Sequence, residues 1–246
     1  MTYNRNFLTD VIFRLDFTVP SDYNKENLKE FQQSMKNIFP ILQEMKGVVI
    51  GHKVKEGNLE SERGEDFVKW NLFNRKKTRL VSLEPDNISL EFKEYENFDE
   101  FLEVITQAIE KIYSLFPSIS STRLGLRYIN HIKLDNEDIF NWENFINESL
   151  LSPIKFVEDK NIICRHINSI ELNKESYRIK FQSGMPNSVY PNKIVRKEFI
   201  LDYDCFTFEN MNKEEIITKV REFHECIKDM FEKSIKEELR TIMSEV

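Results

Sequence analysis

The stretch Thr122-Arg123-Leu124-Gly125-Leu126-Arg127-Tyr128-Ile129-Asn130-His131-Ile132 decides the fold. Successive side chains of a strand point to opposite faces, so Leu124, Leu126 and Tyr128 share one face. Arg123, Gly125, Arg127 and His131 share the other. One face is apolar and one charged, the pattern of a strand whose sheet is covered on a single side.

Upstream, Phe7 to Val19 alternates in the same way, with Phe7, Thr9, Val11, Phe13, Leu15 and Phe17 against Asp10, Arg14 and Asp16. Helical spacing follows from Lys25 to Glu44 through Leu28, Phe31, Met35, Ile38 and Leu42, with Pro40 as a point of ending or kinking. Gly47 to Val54, Phe67 to Phe73, Thr78 to Leu83 and Ile88 to Glu94 read as strands, and Gly57 and Gly64 punctuate the first gap. Asn97 to Phe116 reads as a helix, opened by the capping pair Asn97 and Glu100 and striped by Phe98, Phe101, Ile105, Ala108, Ile112 and Leu115. Downstream, Asp138 to Leu151 is expected to be helical. Strands are expected near Asn161 to Leu172, Ser176 to Gln182 and Lys197 to Thr207, and a long helix from Lys213 to about Met243.

The two halves, the second opening on the quoted strand, therefore both read β-α-β-β-β-α, with one additional strand in the first. Tyr95-Glu96-Asn97-Phe98 matches Phe208-Glu209-Asn210-Met211 at an offset of 113 positions (208 − 95). The same offset matches Arg14 with Arg127, and Ile88, Leu90 and Phe92 with Leu201, Tyr203 and Cys205. A constant offset over three separated segments points to duplication. The fold expected is α+β: one domain, 1–246, made of two similar halves, 1–118 and 119–246, each a β-α-β(3–4)-α unit. Their strands would form one curved antiparallel sheet with the helices on one face, a TBP-like arrangement by analogy. Such an analogy carries no function with it.

Composition narrows the class. A chain of 246 residues buries roughly 70–75% of its unfolded surface, enough for a core without staples. Only 6 Gly and 7 Pro against 20 Phe leave little material for linkers and much for packing. The net charge of −7 opposes general nucleic-acid binding, which needs a surplus of Lys and Arg. No apolar run approaches the ~20 residues of a membrane span, and the first residues carry no signal-peptide pattern. Three cysteines fit reduced thiols, and a cytoplasmic location is expected.

The run Arg123 to Asn130 resembles the signature of a sporadically distributed bacterial family of about this length. The likeness extends to Val11-Ile12-Phe13, to Tyr95, Phe98 and Phe101, and to His224-x-x-Ile227-x-x-x-Phe231-x-x-x-Ile235-x-x-x-Leu239-x-x-x-Met243. It brings no assigned activity. The family's patchy distribution resembles that of mobile genes, which implies phage-defence or antitoxin-like cargo.

The candidate binding residues are Arg14, Arg123, Arg127, His131, Asp202 and Asp204, all on the charged face, with Asp16 and Glu91 as neighbours. Arginines on an open sheet can fork onto a carboxylate or phosphate, and Gly125 allows close approach. The same arginines can instead pair with the neighbouring acids as a structural network. Asp202, Asp204 and Glu91 could hold Mg²⁺, but no third acid has a diagnostic spacing. Cys164-x-His166 and His224-x-Cys226, with Cys205, tempt a zinc reading. Residues i and i+2 on a helix diverge, so His224 and Cys226 do not converge on one ion. His224 falls on the apolar stripe, where a bonded core histidine or a general base are the alternatives. Phosphate-loop, dinucleotide, nucleophile-elbow and H-E-x-x-H motifs are absent.

The function expected is a non-enzymatic binding protein without cofactor or metal, engaging a protein partner or a small anionic ligand; a homodimer is compatible with it. The alternative is a metal-dependent enzyme acting on nucleic acid or a phosphorylated substrate.

Overall fold

A computed structural model describes residues 3–20, 24–55, 58–135 and 138–244, with side chains for all of these except 47–68. Gly57, one of the expected punctuation points, lies outside the described residues.

In chain order the strands are β1 (Leu8–Phe17), β2 (Ile41–Lys55), β3 (Asn58–Phe73), β4 (Arg79–Glu84), β5 (Asn87–Phe92), β6 (Ser121–Leu134), β7 (His166–Asn173), β8 (Arg178–Met185) and β9 (Lys197–Thr207). The α-helices are α1 (Lys25–Met35), α2 (Phe98–Leu115), α3 (Glu148–Phe156), α4 (Lys213–Ser234) and α5 (Glu237–Ser244). The strands form a nine-stranded sheet in the order β2-β3-β4-β5-β1-β6-β9-β8-β7, and the fold is α+β. The residues divide into two compact units. One comprises Phe13–Leu124 with Glu209–Ile217; the other comprises Met1–Ile12, Gly125–Phe208 and Thr218–Val246.

The unit holding Phe13–Leu124 buries Phe13, Leu15 and Phe17 of β1 and Ile88, Leu90 and Phe92 of β5, as the alternation requires. Against them lies α2, burying Phe101, Ile105, Ala108 and Ile112. The Phe92 and Phe101 rings meet edge to face at 4.8 Å. Each such buried Phe contributes roughly 2–3 kcal/mol. Asn97 caps α2 as expected, its side chain accepting from the Glu100 amide at 2.9 Å. The Glu100 carboxylate does not complete the capping box. It takes a fork from Arg79 on β4 instead, at 2.5 and 3.0 Å.

Two expectations fail in this unit. The helix from Lys25 stops at Met35 rather than Glu44. Phe39 and Ile38 still donate to the Met35 carbonyl, but Pro40 bars its neighbour from helical backbone and Ile41 opens β2. Gly64 does not end a strand: β2 and β3 pair antiparallel past it, and only the register shifts there, between Val48↔Asp66 and Ile50↔Arg63.

The second unit has β9 at the expected bounds, and β7-β8 and β8-β9 pair antiparallel. Asp138 to Leu151 is helical only from Glu148. Its first part is turns, and α3 starts at Glu148, where Asn147 accepts from the Ser149 amide. Buried Trp142 anchors those turns between Phe145 and Phe199, at 6.2 and 5.2 Å. The strand expected from Asn161 begins at His166, because Asp159 caps a 3₁₀ turn over Lys160–Ile162. The last helix breaks after Ser234. Ile235 bridges to Ile146, the Asn147 amide donates to the Ser234 carbonyl, and the Lys236 amide donates to the Phe145 carbonyl. No helix among the described residues is long and apolar enough to cross a membrane.

Gly184 in β8 has φ +145°, and a Cβ there would overlap the His166 carbonyl oxygen. Only glycine fits this close approach of β8 to β7.

Candidate functional site

The charged face of β6 and β9 is the starting point. Asn130 of β6 donates through Nδ2 to the Leu201 carbonyl of β9, at 3.4 Å. Arg127 Nε donates to Asp202 Oδ1 at 2.8 Å, and Nη2 donates to Oδ2 at 2.6 Å. The bidentate geometry is that of the strongest charge-assisted pairs. Asp202 is 5% exposed, so the fork supplies hydrogen bonds that water does not. The hydrogen bonds to Asp202 push the Arg127 pKa up, against burial; Asp204 and Asp10 add to the rise.

His131 lies two alternations further along the same face. Its Nε2 is 4.0 Å from Glu198 Oε1, beyond hydrogen-bond range. Neither atom has a hydrogen-bond partner among the described residues, while Glu198 Oε2 accepts from the Ser188 amide at 3.1 Å. Burial lowers the His131 pKa, Lys133 lowers it further, and Glu198 opposes them. The net effect disfavours the protonated imidazole. Burial lowers the His166 pKa as well.

For both histidines the folded pKa lies below the unfolded value, so the unfolded chain binds more protons in the window just below 6.5. Stability accordingly rises with pH through that window and falls on acidification. Urea denaturation at pH values of about 7.5 and 5.5 is expected to show the loss, reduced in His131→Gln. An unchanged loss in the variant contradicts this assignment.

The remaining expected residues lie in the other unit. Arg14 Nε donates to Asp16 Oδ1 at 2.6 Å, an exposed pair along one strand. Glu91 is 3.6 Å from Lys93. Arg123 is half-buried in the first part of β6. The structure thus joins Arg127 with Asp202, sets Asp204 in their field, places His131 near Glu198, and pairs Arg14 separately.

The metal readings meet a direct obstacle. Both Asp202 oxygens already accept from Arg127. Among the described residues no group of three or more His, Cys, Asp or Glu could hold a metal ion. Cys164 is exposed and precedes β7, whereas Cys205 is buried and its thiol is pushed up, first by burial. His224 Nδ1 is 2.9 Å from the Tyr128 hydroxyl, which makes it a bonded residue on the helix-covered face.

Three residues outside the expected binding set bear on this unit. Glu198 alternates with Asp202 and Asp204 on β9, and Asp10 alternates with Val11 on β1, so both were within reach of the same pattern. Lys197, on the opposite face, was not. It is 3% exposed, with its Nζ 4.9 Å from the Phe145 ring centroid and 5.4 Å from that of Trp142. Burial lowers its pKa. Elsewhere in this unit, a cavity of about 520 Å³ opens between the turns after Asp138 and α3, with Glu143 and Lys155 paired at 2.9 Å in its wall.

No protein-family model matches the chain, and comparison with curated proteins finds no match.

Proposed function

We propose that the chain is a non-enzymatic interaction protein whose charged sheet face engages another protein. The observation that carries this is the Arg127–Asp202 fork. Asp202 takes both bonds of the fork, and Asp10 and Asp204 add negative charge around the guanidinium. Such a surface offers an anionic ligand little and favours a basic protein partner, in line with the net charge of −7. This supports the protein-partner half of the expectation over the small-anion half. An accessory or antitoxin-like role in a mobile or defence locus, in the cytoplasm of a bacterium, completes the proposal and rests on the resemblance of Arg123 to Asn130.

A duplicated β-α-β(3–4)-α unit is part of the same reading. Outward from β1 the strands run β5, β4, β3, β2; outward from β6 they run β9, β8, β7. This strand order supports duplication and the TBP-like analogy.

Affinity capture from the source cells tests the function. The same protein is expected to be recovered with wild type and with the helix-face variant Glu222→Lys, and lost with Asp204→Ala or Asp10→Ala at unchanged Tm. Capture indifferent to both face variants overturns the proposal. So does turnover of DNA, RNA or nucleotides by the pure protein with Mg²⁺ or Mn²⁺, which would install the metal-dependent enzyme in its place.

A further inference from the structure

Strand β7 ends the sheet order and, among the described residues, pairs only with β8. Edges of this kind are ordinarily blunted by Lys, Pro or a covering loop. The eight residues His-Ile-Asn-Ser-Ile-Glu-Leu-Asn contain neither Lys nor Pro. Three of them are large, apolar and open to solvent: Ile167 at 42%, Ile170 at 43% and Leu172 at 40% exposed.

Backbone geometry fixes what such an edge can accept. The Lys174 amide donates to the Tyr177 carbonyl at 2.9 Å, closing the turn into β8. Hydrogen-bonded positions alternate from there, so Leu172, Ile170 and Asn168 bond toward β8. Ile167, Ser169, Glu171 and Asn173 therefore turn their N–H and C=O groups to the open side. The groups exposed there require another extended strand.

We infer that this strand is β7 of a second copy, joined antiparallel about a two-fold axis through Ile170. The axis stands perpendicular to the sheet, so each apolar face stays on its own side. Ile170 then meets Ile170 of the second copy at a non-hydrogen-bonded position, where side chains approach most closely. Leu172 meets Asn168, and Ser169 meets Glu171. Beyond the strand, Arg165 falls opposite Glu175 of the second copy, and the symmetry makes that pair twice. Both residues are exposed, and Arg165 is held over the Tyr190 ring at 4.4 Å. His166, whose protonated form burial disfavours, falls opposite Lys174. This charge match selects a second copy over an unrelated strand. The contact uses the sheet edge and not the charged face, so the two proposals stand or fall separately.

Sedimentation equilibrium of the whole chain over roughly 1 to 100 µM tests the pairing. A mass about twice the 29.5 kDa chain is expected at the upper end. Ile170→Lys sets two ammonium groups on the axis and should weaken association ~100-fold. Ser169→Pro, whose lost N–H points away from β8, should abolish it while preserving the circular dichroism spectrum; it decides the matter if the lysine variant fails to fold. Arg165→Glu should weaken it about fivefold, and adding Glu175→Arg should restore it. A monomer at every concentration, a dimer that survives Ser169→Pro, or a charge swap that restores nothing overturns the inference. So does a monomer that takes up another protein's strand at β7.

Discussion

Replacing Trp142 with alanine is expected to cost about 4 kcal/mol of stability, measured by guanidinium denaturation. Trp142 is fully buried, between Phe145 and Phe199, and forms one wall beside the buried Lys197 ammonium. Deleting the indole loses its transfer energy and leaves a cavity that the turns around it cannot close. It also removes an aromatic face from a cation that is 3% exposed, and a buried cation without compensation is expensive. The indole Nε1 has no hydrogen-bond partner among the described residues, so Trp142→Phe should cost distinctly less than Trp142→Ala. A loss below about 1 kcal/mol for the alanine variant would mean that the turns from Asp138 are not anchored through this ring.

That segment also marks where sequence reading fails. The apolar residues from Phe140 to Leu151 suit a helix by spacing, and nothing local announces that Trp142 pins a turn against β9. Its partner Phe199 lies 57 positions away (199 − 142), so the information is tertiary. The break in the last helix has the same origin. Ile235 keeps the apolar stripe intact, but bonds to the segment around Ile146 win over helical continuation. Pro40 could be read locally as a point of ending, but the spacing continues past it to Glu44, whereas the helix stops at Met35, five residues before the proline.

The charged face was more legible. Alternation alone places Arg127 on one side of β6 and Asp202 and Asp204 on one side of β9, because the strand period leaves no freedom once the apolar face is fixed. What alternation does not supply is register. The offset of 113 pairs Arg14 with Arg127 as equivalents, yet Arg14 meets Asp16 on its own strand while Arg127 reaches across to a buried acid. The two arginines, matched by that sequence offset, hold different partners.

Arg127→Ala is the second large effect. Asp202 would lose both hydrogen bonds while 5% exposed, and a buried carboxylate stripped of its partner costs roughly 3–5 kcal/mol. The Arg127 side chain is 39% exposed, so water can enter where it stood, and about 2 kcal/mol is expected after that discount. Arg127→Lys should recover only part of it, since an ammonium cannot form the fork.

The double-mutant cycle over Arg127→Ala, Asp202→Ala and the combined variant tests the β6–β9 pairing at the centre of the charged face most directly. A coupling energy of about 2 kcal/mol is predicted, because each single variant strands the other partner and the double variant strands neither. Additive losses, with a coupling near zero, would contradict the fork and with it the charged face built around it.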